Sequence, residues 1–123
     1  MHPNLPHEDI LRIDALLASS SGAYVEALRS EIAELEAAVK MIPQLAPYAQ
    51  HVAYTSMLDV VKDVRNVAGL IQRLAVCDIA ERLAYLIENT HVPTKIDLDA
   101  ALRMVEALLS ALDAKAEGRC VAA

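Results

Sequence analysis

The spacing of apolar residues predicts an all-α protein: an up-down antiparallel four-helix bundle with a short additional N-terminal helix. Apolar side chains recur in steps of three and four along most of the 123 residues. Only three glycines and five prolines punctuate the chain, too few for the turns of a many-stranded sandwich or barrel. The intervals between periodic stretches are short, and short loops between long amphipathic helices make neighbours pack antiparallel. The length suits a single domain, residues 1–123, and 55% hydrophobic residues can build its core without disulfide staples.

The first segment, Leu5 to Ala18, starts behind Asn4 as N-cap with Pro6 in its first turn, and Ile10, Ile13 and Leu17 share a face. Ser19-Ser20-Ser21-Gly22 is expected to break it. The second, Ala23 to Ile42, places Val25, Leu28, Ile32, Leu35, Val39 and Ile42 on one seam and stops at Pro43 and Pro47. The third and longest runs from Tyr48 to Leu74. Met57, Val60, Val61, Val64, Val67, Ala68, Ile71 and Ala75 make its apolar face; Lys62, Arg65, Asn66, Gly69 and Arg73 lie opposite. Asp78-Ile79-Ala80-Glu81 reads as a capping box opening a fourth helix to Asn89, with Ile79, Leu83, Leu86 and Ile87 inward. Asp97 is expected to cap the fifth, whose core side carries Leu98, Ala101, Val105, Leu108 and Leu112, with Gly118 as its C-terminal stop.

Several functions are disfavoured. A net charge of −6 and an aromatic complement of four tyrosines argue against a nucleic-acid partner. No apolar run approaches the roughly 18 residues that span a bilayer, and the N-terminus has no signal-peptide pattern. Cys77 and Cys120 lie far apart with no metal-ligand spacing, so a cytoplasmic protein with reduced thiols is expected. Glu88-Asn89-Thr90-His91 is the one E-x-x-H tetrad, and it falls beside Val92-Pro93 where ligands cannot converge in a bundle core. His51 reads as a surface residue, and the serine run as a turn rather than a nucleophile. Neither an enzymatic activity nor a cofactor is expected.

The third segment is the only net-basic one, and its three cations surround Gly69 on the outward side. A glycine inside a helix costs roughly 1 kcal/mol relative to alanine. Core packing offers no reason for one there, whereas a partner approaching closely would.

That segment resembles the histidine-containing phosphotransfer domains of bacterial two-component phosphorelays, whose signature is H-x-L-K-G on an exposed helix face. The corresponding run is Arg65-Asn66-Val67-Ala68-Gly69, then Leu74-Ala75, followed by the Ala/Leu/Glu-rich Ile79 to Glu88. The order and lengths of the helices are similar over residues 5 to 117. Arg65 stands where the family carries its phosphorylated histidine, and Ala68 where it carries a phosphate-neutralising lysine. A register using His51 as acceptor needs a glycine four residues on, where Thr55 stands. The resemblance therefore implies a degenerate phosphotransfer module for signal transduction. It would dock a response-regulator receiver domain or a sensor kinase through Lys62, Arg65, Ala68, Gly69 and Arg73 without carrying phosphate. The rival expectation is a self-associating helical bundle with no phosphorelay role, burying an apolar patch around Leu58 and Leu70. Homo-oligomerisation stays open under both.

Overall fold

A computed structural model describes the backbone of residues 7–114 and the side chains of residues 22–114. Four helices make up the bundle: α1 (His7–Met41), α2 (Pro47–Leu70), α3 (Leu74–Glu88) and α4 (Lys95–Asp113), with a 3-10 turn (Ile42–Gln44) between α1 and α2. There is no strand among the described residues. Helix α1 packs on α2 and on α4, and α3 joins α2 to α4, so the helices form a closed ring around one core.

The apolar spacing accounts for that core. Leu28, Ile32, Leu35, Val39 and Ile42 are buried from the α1 side. Met57, Val61, Val64 and Ala68 come from α2, and all five expected residues of α4 are buried. Helix α3 contributes Leu83 and Ile87 as expected, together with Val76, Ala80 and Ala84. Val25, Val60, Val67, Ile71, Ile79 and Leu86 are half-buried and pack against this cluster. No polar or charged residue is buried among those described.

The element ends differ from expectation in four places. Ser19-Ser20-Ser21-Gly22 does not interrupt the chain; α1 is one helix of 35 residues, and no separate N-terminal helix precedes it among the described residues. Serine and glycine each cost a helix at most about 1 kcal/mol, and with no proline among them the backbone ladder continues. The side chains of Ile10, Ile13 and Leu17 lie outside the described residues, as do Gly118 and Cys120.

Helix α2 stops at Leu70, not Leu74, in a Schellman-type turn. Arg73 N donates to Ala68 O (2.8 Å) and Gln72 N to Gly69 O (3.2 Å). Gln72 takes the left-handed position, φ 59°, that glycine usually fills. Helix α3 therefore starts at Leu74 with Arg73 as its N-cap, and Asp78 and Glu81 lie inside the helix rather than at its start. Asp78 bridges Arg82 instead (3.2 Å), and Ala75 is exposed on α3. Helix α4 does have a capping box, three residues earlier than expected. Asp97 N donates to Thr94 Oγ1 (3.2 Å) and Thr94 N donates to Asp97 Oδ2 (2.9 Å).

Candidate functional site on the outer strip of α2

Burial of Val61, Val64 and Ala68 turns Lys62, Arg65 and Gly69 outward, toward α3. Two ion pairs cross between the helices: Lys62 to Glu88 at 3.6 Å and Arg65 to Glu81 at 3.4 Å. Their order shows α2 and α3 running antiparallel, as the short turn at Ile71-Gln72-Arg73 requires. Arg65 is further steadied by Asn66, whose Oδ1 accepts from Nε at 3.4 Å. Its side chain is 31% exposed, so the guanidinium lies along the surface rather than extending freely from it.

Gly69 is exposed, and a Cβ built on it meets nothing within 4 Å. Its φ is not positive. Neither packing nor backbone geometry within the chain calls for glycine here.

Two expected members do not join the strip. Ala68 is 0% exposed, part of the core, and cannot touch a partner; one helical step beyond Val64, it repeats that residue's inward direction. Arg73 has left α2 altogether and sits half-buried at the head of α3, its carbonyl accepting from Cys77 N (3.0 Å). The early helix stop removes it from the face it was expected to share. The strip is also less basic than α2 alone suggests, because Glu81 and Glu88 stand across from its cations. Those acids come from a helix separate in sequence, and a segment-by-segment charge reading cannot register them.

Elsewhere, His51 is exposed and its Nδ1 contacts the carbonyl oxygen of His91, linking α2 to the α3–α4 loop. Glu88 of the E-x-x-H tetrad is committed to Lys62. No group of three His, Cys, Asp or Glu able to hold a metal ion occurs among the described residues. Cys77 is a half-buried free thiol packed against the core. No described helix is long and apolar enough to cross a membrane.

Tyr54 escaped the sequence reading. It is fully buried, the largest side chain in the core, with its hydroxyl lying toward Thr90 without a well-formed hydrogen bond. The signal was present: positions 54, 57, 61, 64 and 68 form one unbroken stripe of threes and fours.

No protein-family model matches the chain, and no curated protein or solved structure was found to match it.

Proposed function

We propose that the protein is a phosphotransfer-like module that docks a response-regulator receiver or a sensor kinase through the outer strip of α2, without itself carrying phosphate. The observation that carries this reading is Gly69, an exposed glycine in the last turn of α2 that neither packing nor backbone conformation within the chain explains. An open glycine lets a partner's backbone come within contact distance of α2. Arg65, one turn away, offers a permanent cation to the acidic pocket of a receiver, at the position where the resembled family carries its acceptor histidine. It must exchange Glu81 for the partner's acids, and two exposed, solvent-screened ion pairs trade at little cost.

Surface capture of receiver domains tests this. Gly69→Tyr is expected to fold and to abolish receiver binding. Arg65→Glu should weaken it and reduce its dependence on salt, since complementary charge acts mainly on encounter. Incubation with a small phosphodonor should leave no phosphohistidine. A folded Gly69→Tyr variant that binds as tightly as the parent removes the docking face from α2.

A second reading, self-association, draws on a different observation. Leu70 and Leu74, at the α2–α3 turn, are 63% and 57% exposed. Leu58 is half-buried against the core and is not available for such a patch. Sedimentation of Leu70→Ser tests it: self-association through this patch predicts a loss of mass, which receiver docking at Gly69 does not require.

A further inference from the structure

Helix α1, at 35 residues, outruns the 24, 15 and 19 residues of α2, α3 and α4. The short turn at Ile42–Gln44 folds α2 back along α1, and Leu35 of α1 and Met57 of α2 line one cleft. Equal steps along both helices from that level bring Leu70, the last residue of α2, opposite Gly22. Asp113, the last residue of α4, pairs with Arg29. Burial along α1 agrees, since Leu28 is buried while Gly22, Ala23 and Tyr24 are exposed. Residues 7–21 therefore carry α1 past the end of the bundle as an arm about 22 Å long. In the arm, Ile10, Ile13 and Leu17 stand at positions i, i+3 and i+7, and Glu8, Asp9 and Asp14 outnumber the one arginine, Arg12.

Between α3 and α4 runs a groove of matching character. A cleft of about 290 Å³ is lined by Ile79, Ala100, Met104 and Ala107, and its charged lining residues are Arg82 and Arg103. Through Arg82 and Met104 it continues into a cleft of about 630 Å³, where Tyr85 is 69% exposed. Arg103 is exposed and joins none of the ion pairs among the described residues. Arg82 is bridged to Asp78 one turn away, an exposed pair that yields at little cost. Ala100 and Ala107, two turns apart on α4, leave room for another helix to approach closely. Such a groove fits an acidic amphipathic helix anchored at i, i+3 and i+7. The arm has that character, but it leads away from its own groove. It departs at the Asp113 end of α4, and Ala107 and Ala100 lie successively farther back.

We propose that the arm of α1 docks in the α3–α4 groove of a second copy, two chains exchanging arms about a two-fold axis. The exchange closes on itself and makes a dimer rather than a string of copies. It also brings the two α2–α3 turns together and covers Leu70 and Leu74, which lie where the arm leaves the bundle. Arm exchange rests on the self-association reading and gives it a contact surface; receiver docking at Gly69 does not enter.

Sedimentation equilibrium of the full chain should give the mass of a dimer. Ile13→Asp with Leu17→Asp should halve that mass while circular dichroism shows a folded bundle. Asp9→Arg with Asp14→Arg reverses the arm, and Arg82→Glu with Arg103→Glu reverses the groove. Each double variant should raise the dimer dissociation constant at least about tenfold. An equimolar mixture of the two should recover the dimer, because each arm then meets a groove of opposite charge. A parent that sediments as a monomer overturns arm exchange and self-association together. Arm or groove variants that keep the parent's mass, or a mixture that does not recover it, overturn arm exchange alone, and Leu70→Ser then reads self-association at the turn separately.

Discussion

The two flanks of α2 handle charge in opposite ways. Toward α3, Lys62 and Arg65 face Glu88 and Glu81, and opposite charges meet. Toward α1, the Glu31 carboxyl is pushed up to about 7, first by partial burial and then by Asp63 and the like charge of Glu34. The residues concerned lie within four positions of one another on the same helix, so the difference is made by the neighbouring helices. Sign along one helix does not say whether its charge is paired; only the ring of neighbours does. The α3 flank offers cations that a competing anion can claim, while the α1 flank sets acid near acid.

The largest effect comes from forcing charge into the direction α2 turns inward. Ala68→Lys, which would supply the lysine of the phosphotransfer signature, should destabilise the bundle by about 3 kcal/mol. The ammonium must either be buried at a position with no exposure or push the α2–α3 packing apart. Chemical denaturation measures this directly. An unchanged unfolding midpoint would mean that α2 can rotate its strip, and the contrast between its flanks would lose its structural basis.

Charge reversal on each flank sharpens the comparison, because the expected signs differ. Asp63→Lys places a cation beside Glu31 and should stabilise at neutral pH by about 0.5–1 kcal/mol. Glu81→Lys sets two cations against each other at Arg65 and should destabilise by a similar, salt-sensitive amount. Measuring both at low and high salt gives shifts that shrink toward zero from opposite sides. Two shifts of the same sign would show that net charge, rather than local pairing, governs the effect.

How much of this was legible in the sequence follows from the range of each interaction. Burial direction is local: the positions of Leu98, Ala101, Val105, Leu108 and Leu112 spell out one helix face, and all five are buried. Helix ends were harder, because the strongest stop signals were absent or misplaced. The α2 stop places Gln72 where a glycine would have announced it. Ser19-Ser20-Ser21-Gly22, which does announce a stop, sits in a helix that continues through it. On the strip, the exposure of Lys62, Arg65 and Gly69 follows from spacing alone. The pairing of its cations depends on Glu81 and Glu88, which only the α2–α3 turn brings alongside. The influence of Asp63 on the Glu31 carboxyl depends in the same way on how α1 lies against α2.

The smallest expected effect belongs to Tyr54, the one core side chain with a polar end among the described residues. Its hydroxyl is buried without a well-formed partner, and Thr90 Oγ1, whose proton goes to Leu86 O at 2.7 Å, has none to donate to the phenol oxygen. Burial pushes the phenol up, so it stays neutral throughout the range in which Glu31 titrates. Removing the oxygen deletes a group that gave up hydration and gained little in return, while the ring keeps its packing. Tyr54→Phe should therefore change stability by less than about 1 kcal/mol, with a neutral or stabilising sign, and by the same amount at acid and at alkaline pH. A pH-dependent change would show that the phenol senses groups titrating below it, Glu31 among them. A loss of several kcal/mol would instead reveal a strong hydrogen bond between the phenol and Thr90, fastening α2 to the end of α3.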